Sequence, residues 1–96
     1  MKKDLVSILI TNYNKEKFLK KSIASCLNQN YKKKEVIVLD DFSTDSSKKI
    51  LKKIKSQNLK IIYNKKQKYK SGPLNQLSNI KSLFKISKGK VIFLLD

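Results

Sequence analysis

The sequence lacks histidine, arginine and tryptophan, and its 96 residues include two glycines, one proline and one cysteine. The absence of histidine excludes a Cys-His or Ser-His nucleophile pair within the chain. Because Cys26 has no partner for an internal disulfide, we expect it to be a buried apolar residue in a reducing, cytoplasmic protein. No stretch approaches the roughly 20 apolar residues of a membrane-spanning helix, and the apolar segment 5–10 is too short for a secretory signal.

The shortage of glycine also excludes two common phosphate-binding loops. The chain contains neither G-x-G-x-x-G, which marks dinucleotide-binding folds, nor G-x-x-x-x-G-K-[ST], whose backbone amides cradle a triphosphate. A bound diphosphate would therefore need another source of positive charge. Carboxylate-bound Mg²⁺ or Mn²⁺ is the natural substitute, because hard cations take carboxylate and phosphate oxygens together. Asp96, after the last apolar run, is the predicted metal ligand.

Positive charge dominates the composition. The 23 basic residues, all lysine, stand against seven acidic ones, for a formal net charge of +16. Such a charge suggests an anionic partner, whereas lysines scattered over the outer faces of predicted helices suggest a solvated coat. Specific recognition of bases relies on arginine forks, which this chain lacks. We therefore expect no nucleic-acid partner and only a weak contact with an anionic membrane surface.

Apolar periodicity divides the chain into strands that alternate with helices. The predicted strands are residues 5–10, 35–39, 59–63 and 91–95. The predicted helices are residues 15–28, a second helix capped by Ser43 or Thr44, and residues 74–87, with Gly89 as the stop. In the third helix we expect an inward row made of Leu77, Ile80, Leu83 and Phe84.

These strands are apolar on both faces, which indicates an α/β fold with helices on both sides of a parallel sheet. Right-handed crossovers predict the strand order 3-2-1-4 of a doubly wound, Rossmann-like half. Ligands bind such sheets at the carboxyl ends of the strands, near the switch point between strands one and four. The second and third helices are expected to face away from this edge. The polar residues predicted there are Thr11, Asn12, Tyr13, Asn14, Asp40, Asp41 and Asp96.

Asp40 and Asp41 are adjacent, so their side chains point to opposite sides of an extended segment. One carboxylate can then enter the crevice and accept a hydrogen bond from a nucleobase N–H or a ribose hydroxyl. The alternative is an ordinary turn in which both serve local capping, and the local chemistry favours neither. Segment 11–14 could also contact a base, but by itself it favours a plain turn.

Four segments, in this order and spacing, resemble the inverting family 2 glycosyltransferases, which have the GT-A fold. They are VSILITNYN (6–14), SCLNQNY (25–31), EVIVLDDFSTD (35–45) and KGKVIFLLD (88–96), the last being similar to the strand that runs into the family's D-x-D motif. The resemblance covers essentially the whole chain. It implies that residues 1–96 are the donor-binding N-terminal part of a GT-A domain. Such a domain transfers sugar from a nucleoside diphosphate sugar to a saccharide or lipid-linked acceptor.

The resemblance also implies roles for individual residues. Thr11, Tyr13 and Asp41 would hold uridine or another nucleoside diphosphate, with Asp41 meeting the base, and the nucleotide-binding set is completed by Asn14 and Asp40. Asp96 would be the first aspartate of D-x-D, near the ribose and the metal. The chain departs from the family pattern at three positions, with Thr11 for proline, Phe42 for glycine and Ser78 for arginine.

In this family the second D-x-D aspartate, the catalytic base and the acceptor site follow the position of residue 96. We therefore expect the chain to bind sugar nucleotide weakly and to transfer nothing by itself. The alternatives are a nucleotide-binding module without transfer activity and a basic nucleic-acid-binding α/β domain. Strand 91–95 has no charge or proline, so as an unpaired edge it would favour a homodimer. The expected location is cytoplasmic, or peripheral at the inner face of the membrane.

Overall fold

Seven elements alternate along the chain in the computed structural model, which describes residues 2–31 and 33–95. The strands are β1 (Lys2–Asn12), β2 (Lys33–Asp40), β3 (Leu59–Tyr63) and β4 (Gly89–Leu95). The helices are α1 (Glu16–Leu27), α2 (Ser47–Lys53) and α3 (Gly72–Ile86). The predicted alternation is confirmed. Three strands, β1, β2 and β4, begin before their apolar runs, because parallel pairing continues into the flanking polar residues.

The four strands form one parallel sheet in the predicted order, β3-β2-β1-β4. Asn12 pairs with Asp40, and Asp40 pairs with Tyr63, so the carboxyl ends of three strands are in register. The last residue of β4 pairs with Ile10, near the end of β1. All four strand ends therefore meet at one edge of the sheet, where ligands bind in doubly wound folds. Asp96, predicted to join this edge, lies outside the described residues.

Alternate residues of the central strands point to opposite faces and build two cores. One cluster joins the sheet to α1 and α2, and contains Ile8, Ile10, Leu19, Ile23, Cys26, Val36, Val38 and Leu51. A smaller cluster joins the other face to α3, and contains Leu9, Ile37, Leu39 and Leu83. The predicted helices on both faces are thus confirmed. Cys26 is buried as expected, and burial raises the pKa of its thiol.

The predicted inward face of α3 is partly wrong. Leu77 and Phe84, expected inside, are 51% and 48% exposed. The residues that α3 buries instead are Asn75, Asn79 and Leu83, which recur at four-residue spacing. The apolar periodicity of α3 predicts the wrong buried side, because the helix buries the amide side chains of Asn75 and Asn79.

The start of α2 also differs from the prediction. The helix begins at Ser47, whose backbone N–H donates to Asp45 Oδ1 over 2.9 Å. The hydroxyl groups of the predicted caps, Ser43 and Thr44, instead accept hydrogen bonds from Asn14, in the loop between β1 and α1. Because these side chains join two loops, they are not available to the helix terminus.

A polar network closes the amino end of the sheet. Ser7 Oγ donates to Glu35 Oε2 over 2.6 Å, and Glu35 Oε2 also accepts the backbone N–H of Lys88 over 2.7 Å. The backbone N–H of Gly89 donates to Ser7 Oγ over 2.9 Å. Gly89 therefore begins β4 and does not act as the predicted helix stop. A side chain at this position would collide with the backbone of Leu5, so glycine permits the close approach of β4 to β1.

The ionisation of Glu35 is coupled to this network. Burial by itself would raise the pKa of Glu35, but hydrogen bonds from Ser7 and Lys88 and the charge of Lys60, 3.9 Å away, lower it overall. A lowered folded-state pKa means that the carboxylate stabilises the fold at pH values above its unfolded pKa. This contribution is lost as the pH falls through the folded-state pKa.

Among the described strands, β4 pairs with β1 alone and forms one edge of the sheet. A homodimer through this edge stays a prediction. Within the described part of the chain, no helix combines the length and apolar character needed to cross a membrane.

We predict that E35Q lowers the free energy of unfolding by about 1–3 kcal/mol at pH 7, because the network loses its charged acceptor. The difference from wild type should shrink in acid, where the wild-type carboxyl takes up a proton. Urea denaturation at pH 7 and at a series of acidic pH values measures both effects. D4N is the matched control, since Asp4 is an exposed carboxylate in the same sheet. An unchanged pH dependence in E35Q would contradict the role given to Glu35.

Candidate functional site

A cavity of about 270 Å³ opens at the carboxyl edge of the sheet, between the end of β1, the loop after β2 and the first half of α3. It is lined by Thr11, Asn12, Tyr13, Lys15, Asp41, Gln67, Gly72, Pro73, Asn75, Gln76 and Asn79. Among these lining residues, Asp41 and Lys15 carry the charges. We call this the first cavity.

The Asp40 carboxylate is fully buried at the end of β2, where the end of β1 and the loop after β2 supply its donors. Its Oδ1 accepts from Asn12 Nδ2 over 2.8 Å and from Ser43 Oγ over 2.6 Å. Its Oδ2 accepts the backbone N–H of Ser43 over 3.1 Å. A buried carboxylate requires such donors, because an unpaired buried charge is strongly destabilising. Burial and the nearby Asp40 charge also raise the pKa of Tyr63. The hydrogen bonds that the Asp40 carboxylate accepts from Ser43 shape the turn after β2.

Asp41 lies in the wall of the first cavity and is 4% exposed. Its backbone N–H donates to the carbonyl of Asn12 over 2.8 Å, which extends the β1–β2 pairing by one residue. Its Oδ1 accepts from Asn64 Nδ2 over 2.9 Å. No hydrogen-bond donor within residues 2–31 and 33–95 reaches Oδ2. Asp40 thus turns into the protein, whereas Asp41 keeps one oxygen that can accept from a ligand.

Asn14 joins the loop after β1 to the loop after β2. Its Oδ1 accepts the backbone N–H groups of Thr44 and Asp45 over 2.7 and 3.1 Å. Its Nδ2 donates to Thr44 Oγ1 over 3.2 Å. Its own backbone N–H donates to Ser43 Oγ over 3.0 Å. We call this set of contacts the loop clasp.

Asp45 reinforces the loop clasp from the side of α2. Its Oδ2 accepts the backbone N–H of Glu16 over 3.1 Å, and the backbone N–H of Ser46 donates back to Glu16 Oε2 over 3.3 Å. Burial would raise the pKa of Asp45, but hydrogen bonds from Ser47 and Glu16 lower it overall. The charged carboxylate therefore ties the beginnings of α1 and α2 together.

Two residues beside the first cavity have a left-handed backbone. Asn14 has φ of 52° and Phe42 has φ of 61°. Asparagine tolerates this region, but for other side chains it costs roughly 1–2 kcal/mol. The turn imposes this conformation because Asp41 and Ser43, on either side of Phe42, are held by hydrogen bonds. The Phe42 ring is 42% exposed, and Lys48 Nζ lies 5.2 Å from its centroid.

Amide side chains complete the wall, and sequence reasoning missed them. Asn75 holds the preceding loop, since its Oδ1 accepts the N–H of Tyr69 over 2.7 Å and its Nδ2 donates to the Tyr69 carbonyl over 2.8 Å. Asn64 Nδ2 donates both to Asp41 and to Asn79 Oδ1, the latter over 3.1 Å. The prediction that α3 faces away from the site is therefore wrong. The available signal was the grouping of amides on one side of the helix, at positions 75, 76 and 79.

The structure brings together three of the residues predicted to bind a nucleotide, namely Thr11, Tyr13 and Asp41. Two others stand outside the lining and support the loops, namely Asn14 and Asp40, so their direct contact with a ligand stays a prediction. Asp96 lies outside the described residues. Besides the amides, the sequence analysis missed Lys15, which borders the first cavity just before α1.

A metal site is not formed by the described residues alone. Within residues 2–31 and 33–95 there is no group of three or more histidine, cysteine, aspartate or glutamate side chains that could hold an ion. The Asp40 oxygens already accept internal donors, which leaves Asp41 as the carboxylate of the cavity wall. The binding of Mg²⁺ or Mn²⁺, expected at Asp96, stays a prediction, because Asp96 lies outside the described residues.

Comparison with known proteins identifies relatives of this chain. The family described as "Glycosyl transferase family 2" matches residues 7–96. An Escherichia coli relative, "UDP-Glc:alpha-D-GlcNAc-diphosphoundecaprenol beta-1,3-glucosyltransferase WfaP", is 38% identical over 93 residues, which are 97% of this chain and 35% of that protein. A Campylobacter jejuni relative, "GalNAc(5)-diNAcBac-PP-undecaprenol beta-1,3-glucosyltransferase", is 34% identical over 74 residues, 77% of this chain and 24% of that protein.

Among solved structures, a crystal structure of S. aureus TarS is similar, with a TM-score of 0.71 and 26% sequence identity. The match covers 94% of this chain and 26% of that one. The chain thus spans between about a quarter and about a third of the length of these relatives.

We predict that N14A lowers the free energy of unfolding by about 2–3 kcal/mol, because it removes the side-chain bonds of the loop clasp and strains a left-handed backbone. N14G should cost less, about 1–2 kcal/mol, since glycine accepts this backbone and loses only the side-chain bonds. Chemical denaturation of the three proteins measures both values. Equal stabilities would show that the loop clasp contributes nothing.

Proposed function

This chain belongs to glycosyltransferase family 2, and we propose that it forms the donor-binding part of an enzyme that uses a nucleoside diphosphate sugar. In the proposed reaction an acceptor hydroxyl oxygen attacks the anomeric carbon with inversion. The bond from that carbon to the nucleoside diphosphate breaks, and the hydroxyl proton passes to a general base. None of the described residues is assigned as that base.

The observation that carries the proposal is the open acceptor on Asp41. Oδ1 is held by Asn64, and Oδ2 has no donor within the described residues, so a ligand N–H can complete the site. The imide N–H of uracil is such a donor. A hydrogen bond to a charged group is among the stronger polar contacts in proteins, and Asp41 is largely shielded from solvent at 4% exposure.

Side chains around Asp41 suit the rest of a nucleoside diphosphate. Tyr13 is 45% exposed at the cavity wall and offers an aromatic face to a base. Lys15 borders the same cavity and offers a positive charge to the diphosphate. The volume of about 270 Å³ lies just below the range of roughly 300–1,000 Å³ that is usual for small-molecule sites. We therefore place the nucleoside inside the first cavity and the diphosphate at the opening of that cavity.

The names of the relatives support a choice of donor and acceptor. That of the E. coli protein gives UDP-Glc as donor and a diphosphoundecaprenol-linked acceptor, and that of the C. jejuni protein gives a PP-undecaprenol acceptor. We propose a uridine diphosphate sugar as donor here, and a saccharide carried on a lipid as acceptor. An acceptor carried on a lipid would bring the enzyme to a membrane surface, as the predicted peripheral location requires.

A divalent cation is part of this proposal through Asp96. Mg²⁺ or Mn²⁺ held by that carboxylate and by the donor phosphates would neutralise charge on the leaving nucleoside diphosphate. The residues of this chain would bind the base at Asp41, orient it against Tyr13 and hold the loops in place through the loop clasp.

We predict that D41N weakens UDP binding by about 10- to 100-fold, because the base loses a charged acceptor. Isothermal titration calorimetry with and without Mn²⁺ measures the affinity, and circular dichroism checks the fold. D4N, which changes a carboxylate at the opposite end of β1, should bind UDP like wild type. If D41N bound UDP as tightly as wild type does, Asp41 would not be part of the binding site. If wild type bound UDP equally well with and without Mn²⁺, the proposed role of the divalent cation would be wrong.

We also predict that K15Q weakens binding of UDP by about fivefold at low salt and leaves binding of uridine unchanged, because Lys15 would meet the diphosphate. D41N should weaken both ligands. K17Q, an equal loss of charge on α1 outside the cavity lining, is the control. If K15Q weakened uridine as much as UDP, the assignment of Lys15 to the diphosphate would be wrong.

A further inference from the structure

The side of α3 that faces away from the sheet carries large apolar side chains. Leu74, Leu77 and Phe84 are 50%, 51% and 48% exposed. Their spacings of three and seven residues place them in one row along the helix, opposite its buried row. Lys81 and Lys85 are exposed on the same side. We call these five residues the α3 outer face.

A second cavity of about 270 Å³ lies beside this helix. Its lining includes Lys65, Lys66 and Lys68 from the loop before α3, and Ser78 and Ser82 from α3 itself. No carboxylate is among its lining residues. Lysines and hydroxyls around one space are donors that suit a phosphate group. We call this the lysine cavity.

The charge around these two features has one sign. Residues 64–90, which include the loop, α3 and the start of β4, contain eight lysines and no aspartate or glutamate. An exposed apolar row would ordinarily be flanked by charges of both signs on a solvated helix. Here lysine alone flanks it, so the surface is complementary to a partner that is both anionic and apolar.

We propose that the α3 outer face and the lysine cavity form a docking surface for an anionic lipid bilayer. Leu74, Leu77 and Phe84 enter the boundary between headgroups and acyl chains, as on helices that lie in the membrane interface. Lys81 and Lys85 extend their charged ends to the headgroups while their methylene stems cover apolar surface. The lysine cavity receives a lipid phosphate.

Other partners fit the same surface less well. Nucleic acid would match the lysines, but two of the three apolar side chains in the row, Leu74 and Leu77, are aliphatic and offer no ring on which a base could stack. A second copy of the chain would bring two strongly positive surfaces together, which is unfavourable within the screening length of roughly 8 Å. The surface shares only Asn79 with the first cavity, so lipid binding does not depend on the proposed nucleotide site.

Co-sedimentation of the chain with vesicles tests the proposal. We expect binding to vesicles that contain phosphatidylglycerol, weak binding to pure phosphatidylcholine, and loss of binding at high salt. The variant K65Q/K66Q/K68Q should lower the partition coefficient by about 100-fold, since each lysine near an anionic surface contributes roughly a factor of five. The variant L77S/F84S should lower it by at least about tenfold.

Matched controls on α1 separate a defined surface from net charge and general hydrophobicity. K17Q/K20Q/K21Q removes the same charge from exposed positions, and F18S removes a phenyl ring that is 66% exposed. Both should bind vesicles nearly as wild type does. Circular dichroism of every variant checks the fold independently of both cavities.

Three results would overturn the proposal. Wild type could fail to bind phosphatidylglycerol vesicles. The α1 controls could lose as much binding as the α3 and loop variants, which would leave net charge as the cause. L77S/F84S could retain vesicle binding but convert a dimer to a monomer in sedimentation velocity, which would assign the α3 outer face to a second copy of the chain.

Discussion

The buried carboxylate of Asp40 is the constraint on which the candidate site depends. Its charge cannot remain unpaired in the core, so Asn12 and Ser43 must supply donors. Meeting that demand draws the loop after β2 back over the end of β1 and forces Phe42 into a left-handed backbone. The same turn sets Asp41 in the cavity wall. One satisfied charge thus determines the path of both loops that border the first cavity.

Much of this arrangement can be predicted from sequence because the strands are continuous apolar runs and the helices between them are amphipathic. Those two patterns lead to the parallel order β3-β2-β1-β4 and to polar residues at its carboxyl edge. The different fates of Asp40 and Asp41 could not be decided locally. Both stand at the end of the same apolar run, and only the donors of Asn12, at the end of β1, and Ser43, in the loop after β2, separate them.

The orientation of α3 could not be predicted because two different demands act on it. Periodicity favoured an inward row containing Leu77 and Phe84, the common outcome for an amphipathic helix. In the loop before α3 the backbone N–H and carbonyl of Tyr69 both hydrogen-bond to the side chain of Asn75, which is buried. Hydrogen bonding therefore decides the rotation of the helix. Leu77 and Phe84 are left exposed, and the amides face the first cavity.

The loop clasp has a consequence for kinetics. Asn14 and Asp45 tie the two loops to each other through hydrogen bonds within the chain, so these loops do not need a ligand to order them. Binding then loses little conformational entropy in the protein. The observed rate constant of association should therefore rise linearly with ligand concentration. It should show no plateau, because no slow closing step of the loops limits binding.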